Sequence, residues 1–117
     1  NPPVVDTKRQ IVVGFDSGNG VISGFDYDEN SVTLRWTHEQ NHACHMLLIP
    51  ETGQIVTADY RPELGCEQVV VLDITTGKEV ARVSTTSPIQ SAVFPAIGPQ
   101  GDIYWCSMTT ITRISVR

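Results

Sequence analysis

The sequence lacks the features that would place it in several common functional classes. It has no run of Lys or Arg, and 13 acidic residues outnumber 8 basic ones, for a net charge of −5. We therefore expect neither nucleic acid nor an anionic membrane as a partner, because both are bound through clustered positive charge. No apolar stretch approaches the roughly 18–20 residues that a membrane-spanning helix needs.

Few sequence features bear on the cellular compartment. No signal peptide is present, but the chain begins with Asn1 rather than Met, so we expect that an upstream segment was removed. Three cysteines at wide spacing are neither a disulfide scaffold nor a CxxC metal pair. Cys44 and Cys106 lie in apolar runs and are expected to be buried thiols, whereas Cys66 follows Gly65 in a polar loop and is expected to be exposed. A single disulfide is the alternative, and localisation stays open.

Helical periodicity is also almost absent. Apolar residues come in short runs separated by Gly, Pro, Asn and Asp, a pattern typical of strands and turns. The β-branched run within Gln68–Ile74 predicts a strand buried on both faces. In all, the pattern predicts ten strands, at Gln10–Phe15, Val21–Tyr27, Ser31–His38, His42–Ile49, Gln54–Tyr60, Gln68–Ile74, Lys78–Ser84, Ile89–Phe94, Asp102–Met108 and Thr110–Val116.

Two halves of the sequence repeat each other at a period near 47 residues. When the sequence is aligned with itself at this offset, Asp26 matches Asp73 and Trp36 matches Val83. The hairpins that follow the two aspartates also match each other. A period of about 40–50 residues with four short strands per unit is typical of β-propeller blades.

The repeated unit resembles the outer hairpin of quinoprotein-like and YVTN-type (WD-repeat-like) propeller blades. The segments that carry the resemblance are Val69–Val83, VVVLDITTGKEVARV, and Val21–Trp36, VISGFDYDENSVTLRW. Trp36 occupies the aromatic position common in the quinoprotein type, but Val83 stands where a second Trp would be expected. The resemblance implies an all-β fold of four-stranded antiparallel blades and says almost nothing about activity.

The strand count predicts an incomplete propeller. We expect one all-β domain or propeller fragment over residues 1–117, with blade units at about 10–38, 42–84 and 89–116. Ten strands make about two and a half blades, fewer than the roughly four to eight of a closed propeller. Exposed blade faces and edges would then recruit identical copies, as in a dimer of 20 strands, or the remainder of a larger propeller. A small β-sandwich is the alternative fold.

Five residues are candidates for ligand binding. In a propeller, His42 and His45 would lie where the chain enters the channel-lining strand of the middle blade, and Asp59, Tyr60 and Arg61 would form a polar rim at the longest loop. Residues three apart on a strand point to opposite faces, so the two histidines would not converge unless the first lies in the loop. No acidic triad nearby completes a catalytic or metal site.

The functional prediction follows from the lack of a complete set of catalytic or metal-binding residues in the sequence. We expect a non-enzymatic binding or scaffold module with a protein or small-molecule ligand, and neither a cofactor nor a metal. The calcium-like string Asp26-x-Asp28-x-Asn30 lacks the Gly and Glu that an EF-hand loop requires further on, which favours a hairpin. The alternative is a fragment of a propeller enzyme, quinoprotein-dehydrogenase-like or a lactonase-like hydrolase, with a histidine at the channel mouth.

Overall fold

A computed structural model describes residues 2–41, 45–85, 94–107 and 110–115, and every helix or strand assigned within these ranges is a β-strand. Sheet 1 contains β1–β4, sheet 2 contains β5–β8 and sheet 3 contains β9–β11, with all neighbours antiparallel. The predicted all-β fold of four-stranded antiparallel blades in an incomplete propeller is confirmed. The strands are β1 (Val4–Asp6), β2 (Ile11–Asp16), β3 (Val21–Tyr27), β4 (Val32–Glu39), β5 (Leu47–Ile49), β6 (Gln54–Arg61), β7 (Cys66–Asp73), β8 (Glu79–Ser84), β9 (Phe94–Ile97), β10 (Ile103–Cys106) and β11 (Ile111–Ile114).

The first blade begins earlier than predicted. Strand β1 pairs with β2, with Val4 opposite Val13, and it lies beside β5, the first strand of sheet 2. Three residues behind two prolines are too short a run to show strand periodicity, so the prediction of ten strands was wrong by one in the described part of the chain. With eleven strands in the described part alone, two copies would hold at least 22 strands, so the count of 20 no longer supports a dimer of five four-stranded blades.

The first strand of sheet 3 is also displaced from its predicted position. Strand β9 covers Phe94–Ile97 and includes Pro95, which the sequence pattern assigns to a loop. Pro95 lies opposite Trp105 on β10, and β9 has no second neighbour among the described strands. A proline is tolerated at a sheet edge because its missing N–H removes no interior ladder bond. Most of the predicted strand Ile89–Phe94 lies outside the described residues.

The core occupies the spaces on both faces of sheet 2. Ile55 and Leu72 pack with Ile11, Ile22 and Trp36 of sheet 1, and their strand neighbours Val56 and Val69 pack with Ile103 and Trp105 of sheet 3. This division follows from the two-residue period of a strand, which sends alternate side chains to opposite faces. The prediction that β7 is buried on both faces is confirmed, since residues 67–70 and Leu72 are buried.

The same alternation corrects the cysteine predictions. Ile103 and Trp105 are buried against sheet 2, whereas Tyr104 and Cys106 are exposed on the opposite face of β10. The expectation that Cys106 is buried was therefore wrong, because sheet 3 is covered on one face only by the described residues. Cys66 is half-buried, both thiols are free, and Cys44 lies outside the described residues.

Antiparallel order places the loops at two ends of the blades. The β3–β4 and β7–β8 turns lie at one end, here called the hairpin end, and the β2–β3 and β6–β7 turns lie at the other, the loop end, together with the connections that follow β4 and β8. At the hairpin end Asp28 Oδ1 accepts hydrogen bonds from the backbone N–H groups of Asn30 and Ser31, at 2.8 and 2.9 Å. The calcium-like string therefore forms a hairpin turn, as expected.

Candidate functional site

The candidate residues Asp59 and Arg61 meet at the loop end of sheet 2. They are two residues apart on β6, so both side chains extend from the face that packs on sheet 1. Arg61 Nε lies 2.8 Å from Asp59 Oδ2. The Asp59 side chain is 1% exposed and that of Arg61 is 43% exposed, so the carboxylate lies beneath the guanidinium.

Three donors occupy the two carboxylate oxygens of Asp59. Arg82 Nη1 on β8 lies 2.9 Å from Oδ2, which Arg61 also contacts, and the Asn41 N–H donates to Oδ1 at 2.8 Å. Asn41 Nδ2 donates to the carbonyl of Tyr60 at 2.8 Å, and Gln40 Nε2 donates to Thr57 Oγ1 at 3.0 Å. Asp59 therefore holds the chain that leaves sheet 1 against sheet 2.

Arg82 extends this network across sheet 2. Its Nη1 donates to Gln68 Oε1 at 2.7 Å, and its Nε and Nη2 donate to Glu79 Oε1 at 3.0 and 2.6 Å. Gln68 in turn donates to Ser84 Oγ at 3.1 Å. We call Asp59, Arg61, Gln68, Glu79 and Arg82 the Asp59 cluster; its two acidic and two basic side chains balance in charge.

The charges in this cluster shift each other's pKa. Hydrogen bonds from Arg82 lower the pKa of Glu79 below its ordinary 4.5, against a smaller opposing effect of burial. Burial acts to lower the pKa of Arg82, but hydrogen bonds to Glu79 and Asp59 outweigh it and raise that pKa. Both groups are therefore held in their charged forms, which suits structural ion pairs better than proton transfer.

An open cavity of about 310 Å³ lies beside the cluster at the loop end. Asn19 and Gly20 of the β2–β3 turn line it together with Glu39, Asn41 and Arg61, while Asp59 lies at its base. The polar lining is able to hydrogen-bond a ligand. The Asp59 carboxylate is already used by two guanidinium groups and a backbone N–H, so this cavity presents binding groups but no free base at Asp59.

The remaining predicted site residues are dispersed. His45 is exposed just before β5, and Tyr60 alternates with Asp59 and Arg61 on β6, so its side chain extends from the other face. His42 lies outside the described residues, so the expectation that His42 and His45 do not converge unless His42 lies in the loop stays a prediction. Glu67, on β7, is fully buried, and its backbone carbonyl accepts hydrogen bonds from Thr85 N and Oγ1 at 3.0 and 2.8 Å.

Sequence reasoning missed Asn41, Gln68, Glu79 and Arg82. These residues come from three separate segments and meet only when the sheets pair. One local signal existed: Arg82 interrupts the apolar pattern of β8, and a charged residue that faces a covered sheet surface needs a partner. The identity of that partner has no signal in sequence spacing.

Within the described ranges, no group of three or more His, Cys, Asp or Glu side chains is placed to hold a metal ion. In the same ranges no helix has the length and apolar character of a membrane crossing.

Comparisons with known proteins support the fold alone. No protein-family model matches the sequence, and no curated protein matches it. Among solved structures, a candidate 6-phosphogluconolactonase from Bacteroides fragilis NCTC 9343 is similar, with a TM-score of 0.66 and 14% sequence identity. The similarity covers 98% of this chain and 37% of that one, so this chain spans little more than a third of the neighbour's length. The chain thus resembles part of a larger all-β protein in the arrangement of its propeller-like sheets.

Proposed function

We propose that this chain is a non-enzymatic interaction module of β-propeller type that binds further blades through its incomplete third sheet. The observation that carries the proposal is the contrast between the sheets. Sheets 1 and 2 have four strands, whereas sheet 3 has three among the described residues, and its outer strand β11 carries Ile111 at 76% exposure. Ile111 extends with Tyr104 and Cys106 from the face of sheet 3 that no described residue covers, and β11 has no neighbour on its outer edge among the described strands. Both the face and the edge are therefore surfaces on which a further blade could bind.

The Asp59 cluster supports a structural module over an enzyme. Two of the five predicted site residues, Asp59 and Arg61, form ion pairs that join β6 and β8 and hold the connection after β4. A general base needs a free carboxylate within hydrogen-bond reach of its substrate. The partners of this module are identical copies or the remainder of a larger propeller, and its quinoprotein-like or YVTN-type character belongs to the same proposal.

Light scattering over a dilution series tests the proposal. We expect an average mass above the 12.8 kDa of one chain, and a shift towards 12.8 kDa in Ile111→Lys. Leu64→Lys is the matched control, because Leu64 is also exposed, at 56%, but lies in the β6–β7 turn of sheet 2 and not on sheet 3. A folded monomer that persists at every concentration would overturn the proposal, whereas a dimer indicates ring completion and polydisperse aggregates indicate a piece of a larger propeller.

A lactonase-like hydrolase is the second candidate, favoured by the similarity to the Bacteroides fragilis protein. The assay measures the hydrolysis of 6-phosphogluconolactone through the proton that the reaction releases. We expect no rate above the spontaneous one. A rate that is lost in His45→Ala and retained in Glu51→Ala, an exposed control six residues along the chain, would replace the module with the enzyme.

A further inference from the structure

An apolar groove runs between sheet 2 and sheet 3. It has a volume of about 270 Å³ and is open to solvent. Val80, Ala81 and Val83 of β8 form one wall, and Ile103 and Ile114 of sheet 3 form the other. The volume lies just below the roughly 300–1,000 Å³ of small-molecule pockets, so the groove suits a side chain on an extended segment better than a free ligand.

The groove continues an interface that is already formed. Its base includes Val69, which is buried with Ile103 and Trp105 in the core between sheets 2 and 3. Towards the outside of the blades this core ends, and Val80 and Val83 are 54% and 44% exposed. The groove is therefore the outer part of the space between sheets 2 and 3, and it lies beside the edge of β11 that no described strand pairs with.

The corresponding space between sheets 1 and 2 is filled by one aromatic side chain. Trp36 on β4 packs over Gly24 and Gly77, and its Nε1 donates to the carbonyl of Ile74 at 2.7 Å. In sheet 2 the register puts Ala81 in the place of Trp36, because Ala81 lies opposite Val71 beside the β7–β8 bulge as Trp36 lies opposite Gly24 beside the β3–β4 bulge. Val83, which the sequence offset aligns with Trp36, lies two residues further along the same face. Sheet 2 thus presents a small side chain where sheet 1 presents a large one. Close packing of the space between sheets 2 and 3 therefore requires a large side chain that sheet 2 does not supply.

From this geometry we infer that the groove binds an extended strand that carries an aromatic side chain, paired antiparallel with β11. The inference rests on the proposed function and names the chemistry of its partner. Strand addition supplies main-chain hydrogen bonds along Ile111–Ile114, and the aromatic side chain fills the space beside Val80 and Val83. A second copy of this chain does not offer such a strand, since the one tryptophan on an outer edge strand of the described part, Trp36, is 8% exposed.

The probe is a fluorescent peptide with the sequence of residues 31–40, SVTLRWTHEQ, which is this chain's own tryptophan-bearing outer strand. We expect saturable binding by fluorescence anisotropy, and a loss of at least about tenfold in affinity for the same peptide with Trp36→Val, since burial of an aromatic ring supplies much of the free energy. Hydrogen exchange should slow in residues 111–114 when the peptide binds.

Variants of the protein test the position of the groove. Val83→Trp fills the groove from within and should weaken peptide binding by at least about tenfold, whereas Val32→Trp, an exposed substitution on β4, should leave it unchanged. The peptide variant keeps the test valid if Val83→Trp fails to fold. Absence of binding, equal binding of both peptides, or full binding by folded Val83→Trp would overturn the inference. If the chain then still associates through Ile111, which extends from the other face of sheet 3, the proposed function stands and only the aromatic strand is ruled out as the occupant of the groove.

Discussion

The indole of Trp36 lies against the backbone of Gly77, so that a β-carbon built on Gly77 would stand 2.5 Å from Cε3 of the ring. Gly77 also has a φ of 71°, in the left-handed region that side chains disfavour. The contact joins the outer strand of sheet 1 to the β7–β8 turn of sheet 2. It therefore makes one turn residue responsible both for its hairpin and for the packing of two blades.

Gly77→Ala should destabilise the protein strongly. The left-handed φ costs about 1–2 kcal/mol for alanine, and displacement of the indole adds about 1–3 kcal/mol. Gly65→Ala is the control, because Gly65 has a φ of 64° but nothing within 4 Å of an added β-carbon, so only the backbone cost of about 1–2 kcal/mol remains. Urea unfolding measures both. Equal losses of unfolding free energy in the two variants would show that the indole moves aside without an energetic penalty.

Asp59→Asn should lower the free energy of unfolding by about 3–5 kcal/mol, because it leaves two guanidinium groups around a buried site without their carboxylate. The control is Asp26→Asn, which breaks the exposed pair with Arg35, whose side chains are 36% and 48% exposed; it should cost about 1 kcal/mol or less. Similar losses in the two variants, measured by urea unfolding, would refute the structural role of Asp59.

Gln10→Gly should stabilise the protein slightly. Gln10 has a φ of 56° in the β1–β2 turn, and the equivalent turns of sheets 2 and 3 have Gly53 and Gly101 at positive φ. Relief of the left-handed cost exceeds the added flexibility of the unfolded chain by about 0.5–1 kcal/mol. Lys8→Gly in the same turn has no positive φ to relieve and should destabilise. Thermal unfolding by circular dichroism distinguishes the two directions.

Acid should destabilise the folded protein through Glu79 and Asp6. Arg82 lowers the pKa of Glu79 below 4.5; for Asp6, burial acts to raise the pKa, but Arg9 outweighs it and leaves the pKa below 3.8. A carboxyl whose pKa is lower in the folded state contributes stability above its unfolded pKa and loses it as pH falls through the folded value. Stability should therefore be level above about pH 5 and decline below about pH 4.

The variant Asp6→Asn tests how much of this loss of stability at low pH comes from Asp6. Asp6→Asn removes one of the two carboxylates and should flatten the decline of unfolding free energy between about pH 4 and pH 2, at a cost in stability near neutral pH. Urea unfolding at a series of pH values provides the measurement. A decline of unchanged steepness in Asp6→Asn would show that Asp6 contributes nothing to it.

The turns and the strand class were predictable from the sequence because their causes are local. The Asp28 and Asp73 turns each use a carboxylate to hold the N–H groups two and three residues on, and such short-range bonds show directly in residue order. The burial of β7 was predictable for the same reason, since a continuous β-branched run has no polar face to present to water.

Short or edge strands were harder to predict. Val4–Asp6 is held by pairing with β2, and Phe94–Ile97 tolerates Pro95 because β9 needs ladder bonds on one side only. Whether a strand is central or at an edge depends on its neighbours, which lie in other parts of the chain. The exposure of Cys106 was not predicted for the same reason, because it depends on whether another sheet covers that face of β10.

The sequence by itself determined the all-β class, the blade-like repeat and the hairpin turns, because hydrophobic period and turn chemistry act within a few residues. The tertiary structure decided that Asp59 pairs with Arg82, that Trp36 lies on Gly77 and that Val83 borders an open groove. Each of these contacts joins strands that are distant in the chain. Only the packing of one sheet on the next brings such groups within hydrogen-bond or van der Waals distance.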